Sequence, residues 1–573
     1  MQYNYEEVIH IIQNTRRFGT LTGYEVSKRM LEQLGNPQKG IPFVHIAGTN
    51  GKGSTTAFLC EILKQAGIRV GMFTSPHLVT FEERIRINGI YIPKEDVTRL
   101  GNQLLEMEFD VLPTMFDYCL CMAVLYFKEQ HCDLMVMETG IGGRFDSTNA
   151  LGTPLISVIT KIGFDHMAIL GNTLEEIAYE KAGIIKKGVP VVLQKQEDSV
   201  CKVIYDYVLQ INSENETKQN NLLKNENSRI TDSFADVKKK EDSNKNNNIE
   251  ANEKIFYFIN NENDNGISKY LLEVSQSMRE YISKLPMKMH GKFQIENAAS
   301  AVLTAAYILE KQKIPKSDVN AYMCEDIEHL SGTKYAKTIE LSEDTSGKNI
   351  IFSEKESEKN IHLKETNSKE MLGKVIAMND LPKELCKLPQ RYVENIKQGI
   401  AQTIWKGRME LVNENPFFMI DGAHNPDGVH ALAESLKALY PNEKFHFIMA
   451  VMADKDYETM IEELIPIAYD FVTVTPEYHR ALQAKELAQC IAKKGVKARY
   501  AEKLEDVIVP LLPLKDGKTK VINTKLQDVT DKISNEKIND CKTTQKTEIS
   551  DRNSKTIAFG SLYFIGEIET LVK

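Results

Sequence analysis

A glycine-rich segment near the start of the chain carries the clearest chemistry in the sequence. Gly48-Thr49-Asn50-Gly51-Lys52-Gly53-Ser54-Thr55 follows a short apolar run and opens a segment with helical periodicity, which is the context of a phosphate-binding loop. Backbone N–H groups and the helix N-terminus would attract phosphate. Lys52 would reach the β- and γ-phosphates, and Ser54 or Thr55 would support a magnesium ion. The alternative is a glycine-rich turn with a chance lysine. The loop indicates a nucleoside triphosphate, but no particular reaction.

Further polar residues stand at the ends of other apolar runs. Glu138 closes the run Asp133–Glu138, where an unpaired buried carboxylate would be costly. A metal ion would compensate this charge, and the alternative is an ion pair with Arg144. Taken alone, His166 is more often a loop histidine than a ligand, and Lys181 would pair by default with its neighbour Glu180.

The elements that must position these residues alternate between strands and helices. Strands are predicted in two sets, 42–47, 69–74, 133–138, 155–162 and 189–193, then 417–420, 445–452, 471–475 and 557–561. Helices are predicted at 52–66, 114–130, 173–187 and 428–440. Such alternation indicates parallel sheets with right-handed crossovers, and ligands bind beyond the carboxyl ends of such strands.

We therefore predict an α/β fold with two domains. Residues 1–400 are predicted to form an N-terminal P-loop ATPase-type domain with a mostly parallel sheet, and residues 401–573 a smaller Rossmann-like α/β domain. Three low-complexity segments, about 212–254, 337–395 and 514–555, are rich in Asn, Lys, Glu and Ser. They cannot bury enough apolar area to offset their ordering entropy, so we interpret them as surface insertions.

Composition and charge exclude several classes of protein. The chain has 573 residues and a net charge of −9, which argues against a generic nucleic-acid binder. Nine cysteines without a C-x-x-C pair argue against a zinc knuckle or a disulfide framework. Because the sequence has neither a signal-peptide pattern nor an 18-residue uncharged apolar run, we expect a cytoplasmic protein that does not bind membranes.

The loop and eight further motifs together resemble one family. The chain resembles the folylpolyglutamate and dihydrofolate synthases, within the Mur-ligase superfamily of ATP-dependent amide-forming ligases. The further motifs lie at 74–78 (TSPHL), 82–89 (EERIRING), 138–144 (ETGIGGR), 165–166 (DH), 180–183 (EKAG), 407–410 (GRME), 421–426 (DGAHNP) and 560–563 (GSLY). Gly53 follows the loop lysine where Mur ligases usually have a hydroxyl, and this glycine is the form of the folate branch.

The resemblance implies a ligase reaction. ATP would activate a carboxylate as an acyl phosphate, and the amine of L-glutamate would displace the phosphate. The expected product is a reduced folate, such as tetrahydrofolate, extended at its γ-carboxylate. Some members also join dihydropteroate to the first glutamate, and the sequence does not separate one activity from two. The implied partners are these small molecules, with ATP, two Mg²⁺ ions and a possible monovalent cation as cofactors of a monomer.

The resemblance also implies residue roles. The catalytic set is Lys52, Lys181, His166 and His424, and the metal set is Ser54, Ser75, Glu138 and His166. Lys181 matches a lysine that family members carry in carbamylated form. Ser75, His77, Arg84, His424 and Asn425 would border the folate or the incoming amino acid, although His77 and Arg84 could equally be structural.

Several residues would contact ATP outside the loop. Arg408 matches an arginine on the phosphates, with a surface arginine as the alternative. Asp421 would accept hydrogen bonds from the ribose or orient His424. Gln294 and Asn297 match a helix start that contacts adenine, and for Asn297 a helix cap is the alternative. The predicted site residues come from both domains. Closure of the two domains about a connection near 397–406 would therefore assemble the site and exclude water.

Three rival functions remain at this point. One is a Mur-type ligase acting on another carboxylate, against which Gly53 counts. Another is a P-loop ATPase without ligase activity, which would not need the 421–425 motif. The third is a catalytically dead binding protein, against which the intact Lys52, Glu138, Lys181 and His424 argue.

Overall fold

Two sheets, each flanked by helices, organise the chain. The computed structural model describes residues 2–15, 23–109, 112–213, 271–311, 381–512, 526–528 and 555–572. Most of the three predicted insertions lies outside these residues, namely 214–254, 337–380, 514–525 and 529–554. Within the described residues, no helix is long and apolar enough to cross a membrane.

The first sheet has eight strands in the order β4-β3-β2-β5-β1-β6-β7-β8. They are β1 Phe43–Ala47, β2 Val70–Phe73, β3 Ile85–Ile87, β4 Ile90–Tyr91, β5 Leu134–Glu138, β6 Ile156–Ile159, β7 Val191–Leu193 and β8 Leu271–Glu273. Six strands run parallel, and β3 and β4 form an antiparallel edge next to β2. The central strand β1 is buried along its whole length, as expected of a strand covered on both faces.

Twelve helices accompany this sheet in the described part of the chain. They are α1 Tyr5–Gln13, α2 Glu25–Gln33, α3 Lys52–Gln65, α4 Lys94–Glu106, α5 Met115–Glu129, α6 Met167–Leu170, α7 Leu174–Ala182, α8 Asp198–Ser213, α9 Gln276–Ser283, α10 Lys292–Lys311, α11 Lys383–Cys386 and α12 Gln390–Gln402. Helix α3, which the phosphate loop opens, lies in the core, with Phe58 and Ile62 fully buried.

The second sheet has seven strands in the order β14-β13-β12-β11-β15-β10-β9. They are β9 Glu410–Glu414, β10 Phe417–Ile420, β11 Phe445–Met449, β12 Ala468–Thr473, β13 Ala498–Tyr500, β14 Gln527–Asp528 and β15 Lys555–Phe559. Its helices are α13 Pro426–Leu439, α14 Tyr457–Leu464, α15 Ala484–Lys493, α16 Glu505–Ile508 and α17 Leu562–Val572. The central strands are parallel and both edge strands are antiparallel. The predicted α/β class with two mostly parallel sheets is thus confirmed.

The predicted second insertion extends too far. Residues 383–386 and 390–402 form α11 and α12, and their side chains Leu385, Val393 and Ile396 are buried in the first core. Apolar residues recur at helical spacing among the polar residues of this stretch. Composition alone therefore did not predict the two helices. The third insertion is likewise interrupted, because 527–528 pair with β13 and Lys555 begins β15.

Two further boundaries differ from the prediction. The helix that Thr173 caps ends at Ala182 rather than near residue 187, and Gly183 packs so closely on the backbone of Arg144 that a side chain would not fit there. The predicted connection at 397–406 is also shorter, because α12 continues to Gln402. The linker between α12 and β9 is residues 403–409, and the domain boundary at 400/401 stays a prediction.

Candidate active site

One cleft of about 1030 Å³ lies between the two sheets. The carboxyl ends of the parallel strands face it, as the strand–helix pattern predicted. Most predicted site residues line it: Thr49, Asn50, Gly51, Lys52, Gly53, Ser54, Ser75, Glu138, His166, Lys181, Asn297, Arg408, Asp421 and His424. Five predicted residues are not among the residues lining the cleft: Thr55, His77, Arg84, Gln294 and Asn425.

The phosphate loop is fixed by backbone contacts to the segment after β6. The N–H groups of Thr49 and Asn50 donate to the carbonyl oxygen of Lys161 at 2.9 and 3.1 Å, and the Thr49 hydroxyl donates to Gly163 at 3.0 Å. Gly51 has a φ of +88°, a left-handed conformation that favours glycine. These contacts hold the loop open at the start of α3.

The side chain of Lys52 folds over its own loop. Its ammonium donates to the carbonyl oxygens of Gly48 and Thr49 at 3.1 and 3.3 Å, and it lies 4.0 Å from Glu138 Oε1. Ser54 lines the cleft, whereas Thr55 is fully buried away from it. Of the two predicted hydroxyls, Ser54 is therefore the one that faces the space beside the loop.

Glu138 ends β5 and is only 4% exposed. Its Oε2 accepts a hydrogen bond from the Ser75 backbone N–H at 3.2 Å. Burial raises the pKa of Glu138 to about 7 against the opposing charge of Lys52. Arg144 does not pair with it, since its guanidinium lies 3.6 Å from Glu180. Glu138 is thus a buried carboxylate with few compensating contacts.

Lys181 projects from α7 into the same wall and is 4% exposed. Its ammonium donates to the Gly48 carbonyl oxygen at 2.8 Å and does not pair with Glu180, so that default expectation is wrong. Burial and the nearby charge of Lys52 lower the pKa of Lys181 to about 7. A substantial fraction of this amine is therefore neutral near pH 7.

Asp165 joins the two walls. Its Oδ1 accepts a hydrogen bond from Lys455 at 2.6 Å, and its Oδ2 accepts one from Asn425 at 3.3 Å and lies 3.6 Å from His424 Nε2. Burial opposes ionisation, but the interactions with His424, His166 and Lys455 hold the pKa of Asp165 well below its usual range. Asp165 is therefore a carboxylate that links the first sheet to the second.

The neighbouring His166 has a left-handed backbone, with a φ of 53°, and its side chain lines the cleft. Partial burial lowers its pKa against the opposing effect of Asp165. The neutral ring that results is the form able to bind a metal.

The turn after β10 supplies the opposite wall. His424 Nδ1 lies 2.8 Å from the Gly422 carbonyl oxygen. Asn425 caps α13 by accepting from the Gly428 N–H at 2.8 Å. Its amide also exchanges two hydrogen bonds with the amide of Asn50, at 3.2 and 3.3 Å. Asn425 therefore binds the phosphate loop from across the cleft.

Arg408 and Asp421 lie side by side in this wall. Arg408 lines the cleft, and its pKa is lowered by burial and raised by the charges of Asp421 and Glu138. Asp421 accepts the backbone N–H groups of Met409 and Ala423, both at 2.8 Å. Among the described residues no hydrogen bond joins it to the His424 ring, and its role in orienting His424 or binding the ribose stays a prediction.

An amide cluster beside the loop joins α10 to Gln194, the residue directly after β7. Asn297 donates to Gln294 at 2.9 Å and accepts from Gln194 at 3.1 Å. Asn297 is the sixth residue of α10, so the helix-cap alternative is wrong. The Gln294 Nε2 is buried with no partner among the described residues.

His77 and Arg84 pair with each other. The Arg84 Nε donates to His77 Nδ1 at 2.8 Å, and burial lowers the pKa of His77 to about 4. This geometry fits the structural interpretation of the pair, and their contact with substrate stays a prediction.

Sequence reasoning assigned no role to several residues of the site. Lys455 and Asp165 belong to recognised motifs, but only the fold brings them together across 290 residues of sequence. Asp146, in the segment after ETGIGGR, accepts the N–H groups of Gly140 and Ile141 and shapes that turn. Phe145, Ile141 and Ile169 form an apolar part of the cleft and are each at least 36% exposed.

The residues present fit a magnesium–nucleotide complex. In the described ranges, no three His, Cys, Asp or Glu side chains are grouped as a metal cluster. Magnesium, however, keeps several waters and uses one or two carboxylates together with substrate phosphates. The buried Glu138 and the cleft-lining Ser54 and His166 supply such a sparse donor set beside the loop.

Comparison with known proteins finds two family models in this chain. The Mur ligase middle domain matches residues 46–305, and the Mur ligase glutamate ligase domain matches residues 407–522. The first match covers the phosphate loop, Glu138, Lys181 and Asn297. The second begins at the GRME motif and contains the turn with His424.

Curated relatives match along most of the chain. A dihydrofolate synthase/folylpolyglutamate synthase of Bacillus subtilis is 31% identical over 527 residues, which are 90% of this chain and 95% of that protein. A folylpolyglutamate synthase of Lacticaseibacillus casei is 27% identical and covers 82% of this chain and 85% of its own length. Among solved structures, an FPGS–AMPPCP–folate complex has a TM-score of 0.59 at 21% identity, with full coverage of both chains.

Proposed function

This chain belongs to the Mur ligase family, in its folylpolyglutamate and dihydrofolate synthase branch, and on that premise we propose that it adds L-glutamate to the γ-carboxylate of a reduced folate. It is an ATP-dependent ligase. The observation that carries the proposal is the cleft itself. The phosphate loop, Glu138 and Lys181 line one wall, and Arg408 and His424 line the other.

The phosphate loop and Arg408 are proposed to bind ATP. Lys52 and Arg408 on opposite walls, together with the backbone N–H groups of the loop, offset the negative charge that develops as the γ-phosphate moves to the folate carboxylate. The Lys52 ammonium, which in the free protein contacts the carbonyl oxygens of its own loop, is released to the phosphates when ATP binds. The amide cluster with Asn297 supports adenine recognition, because amides offer both a donor and an acceptor.

Magnesium is proposed to lie beside the loop, held by Glu138 with Ser54, Ser75 and His166. When bound, it supplies a positive charge that shields the phosphates during transfer. Glu138 loses its proton to become such a ligand, and neutral His166 offers a ring nitrogen. Among the described residues we assign no donor set for a monovalent cation.

Lys181 is proposed to act as a carbamate. The attack of its amine on carbon dioxide needs the neutral amine, and the lowered pKa of Lys181 supplies that form near pH 7. The modified group is an anion beside the phosphate loop and therefore suits a second magnesium ion. Mass analysis of the intact protein in bicarbonate buffer, with Lys181→Arg as the unmodifiable control, tests this step.

The second wall is proposed to receive L-glutamate. Closure of the cleft excludes water, which would otherwise hydrolyse the acyl phosphate. His424 lines the cleft and is proposed to meet the incoming amino acid, with Asn425 behind it. Asp165 contacts both residues near the loop. The apolar part with Phe145 and Ile141 supports binding of an aromatic acceptor. Both walls come from one chain, so a monomer suffices.

A second activity is favoured by one specific observation. The Bacillus subtilis relative carries both names and matches 90% of this chain, so joining dihydropteroate to glutamate is the second candidate function. Purified protein would be incubated with ATP, magnesium and L-glutamate plus either tetrahydrofolate or dihydropteroate. Mass spectrometry of the acceptor decides between one activity and two. ADP formation without glutamylation of either acceptor would contradict the folate proposal.

A further inference from the structure

Trp405 is the single tryptophan of the chain, and it lies in the linker 403–409 between α12 and β9. The start of this linker is anchored to α3, the helix that the phosphate loop opens. Gly399 of α12 packs against Ile62 of α3 so closely that an added Cβ would lie 2.6 Å from the Ile62 Cα. The Asn395 amide donates to the Gln65 carbonyl oxygen at 2.6 Å. The linker therefore leaves from a fixed point on α3.

The indole of Trp405 then packs on the phosphate loop itself. A Cβ added to Gly53 would lie 3.0 Å from Trp405 Nε1 and 3.1 and 3.2 Å from two further indole carbons. A side chain on the residue that follows Lys52 would therefore press on the indole, which would have to move by a few tenths of an ångström. This contact gives a physical reason for glycine at that position.

Arg86 also packs against the indole. Its guanidinium lies 4.7 Å from the Trp405 ring centroid and 4.6 Å from that of Tyr91, which are cation–π distances. The Arg86 Nε also donates to the Glu83 carbonyl oxygen at 2.9 Å. Strand β3 and its hairpin to β4 thus fix Trp405 to the first sheet.

Arg408 lies three residues after Trp405 in the same linker and lines the cleft. Gly53, Trp405, Arg86, Glu138 and Arg408 also line one small cavity of about 50 Å³ beside the main cleft. This volume is enough for a few waters but not for a substrate. A movement of the indole would therefore displace both the backbone after Lys52 and the arginine opposite it.

We infer that Trp405 is a positioning residue, which couples the phosphate loop to the linker and so sets Arg408 against the nucleotide. The inference rests on the proposed nucleotide role of the loop. Packed interiors transmit small displacements instead of absorbing them, so loss of the indole is expected to loosen both Lys52 and Arg408. Nucleotide binding is in turn expected to change the environment of the indole.

Binding and fluorescence of the full chain test this inference. We expect AMPPCP with magnesium to change the emission of this single tryptophan in the wild type. Trp405→Ala should weaken AMPPCP binding on the order of tenfold, raise the KM for ATP more than it lowers kcat, and increase ATP hydrolysis without glutamylation. Trp405→Phe, which keeps an aromatic ring on Gly53, should restore most of the affinity.

Arg86→Met provides a second variant that retains the fluorophore. It should reduce the nucleotide-dependent emission change and weaken AMPPCP binding, whereas the matched control Arg99→Met, on a surface arginine paired with Glu129, should do neither. Unchanged AMPPCP affinity in Trp405→Ala and Arg86→Met, with only a lower unfolding temperature, would overturn the inference. Absence of AMPPCP binding to the wild type would instead overturn the proposed nucleotide site.

Discussion

At the scale of single residues, burial shifts two oppositely charged groups beside the phosphate loop toward their neutral forms. The pKa of Glu138 is raised to about 7 and that of Lys181 is lowered to about 7. Each group is 4% exposed and has one hydrogen bond within the described structure. Such paired perturbations are typical of functional sites, and they fit the proposed roles of Glu138 as a metal ligand and of Lys181 as a carbamate.

The first prediction concerns Glu138 and pH. Its folded pKa of about 7 exceeds its ordinary value of 4.5, so the free protein retains a proton at pH 6 that it has mostly lost at pH 8. A magnesium complex needs the carboxylate, so binding of Mg–AMPPCP should weaken roughly tenfold from pH 8 to pH 6.

Calorimetry at the two pH values measures this difference. Glu138→Gln is the matched control, because the titration of the nucleotide itself is common to both proteins. The variant should bind more weakly and lose most of the pH dependence. An equal pH dependence in the two proteins would contradict the assignment.

The second prediction concerns Lys181. Lys181→Ala should lower the rate of glutamylation roughly a hundredfold or more, because it removes an anion proposed to bind the second metal. A small carboxylate such as acetate should restore part of this rate by entering the vacated space. Lys181→Arg keeps the cation, so it should be inactive and should not respond to acetate. Wild-type activity in Lys181→Arg would be incompatible with a carbamate.

Sequence motifs identified most of the residues that line the cleft but not their partners. Glu138 and Arg144, and likewise Lys181 and Glu180, are close in sequence, yet the ion pair that forms joins Arg144 to Glu180. The backbone of Gly143 lies close to the carbonyl oxygens of Glu180 and Lys181, which brings the neighbouring Arg144 beside α7. Pairings of this kind depend on tertiary approach, which spacing along the chain does not encode.

At the scale of elements, helices α3 and α12 form the frame on which the loop and the linker rest. The strands and α3 were predictable because their apolar periodicity is strong. Helix α12 was missed because the polar tract that precedes it hid its stripe of Val393, Ile396 and Ile400, all of which are buried. The linker therefore starts from a packed helix rather than from a loose insertion.

The third prediction tests the role of α12 in stability. Ile396 is fully buried, so Ile396→Ala should destabilise the protein by about 2–5 kcal/mol through lost burial and a cavity. Urea unfolding followed by circular dichroism should show a lower midpoint. Glu394→Ala, on the exposed side of the same helix, should leave the midpoint nearly unchanged. Equal midpoints for the two variants would mean that α12 is not part of the core.

At the scale of the whole molecule, polar contacts join the two sheets beside the phosphate loop. Asn50 and Asn425 exchange amide hydrogen bonds, and Asp165 accepts from Lys455 at 2.6 Å. Each contact joins a segment near the phosphate loop to the opposite wall. Polar contacts of this kind can break and re-form, so they suit a cleft that must admit ATP, folate and glutamate in turn.

The fourth prediction concerns this interface. Lys455→Met should leave the partly buried Asp165 without its cation and lower kcat for glutamylation tens- to hundreds-fold. It should also raise the fraction of ATP hydrolysed without product, because the cleft closes less completely. Lys494→Met removes an ion pair of equal length, 2.6 Å to Glu462, away from the cleft and should retain wild-type coupling. Identical coupling in both variants would contradict the role given to Lys455.

The central claim is transfer of phosphate to the γ-carboxylate of a folate, and isotope labelling tests it most directly. Tetrahydrofolate carrying ¹⁸O in its γ-carboxylate would be incubated with the protein, ATP, magnesium and L-glutamate, and the phosphate released would be analysed by mass spectrometry. An acyl phosphate predicts one ¹⁸O atom in inorganic phosphate for each glutamylated folate, with ADP as the other product. Unlabelled phosphate accompanying glutamylation, or phosphate released without any glutamylated folate, would contradict the account.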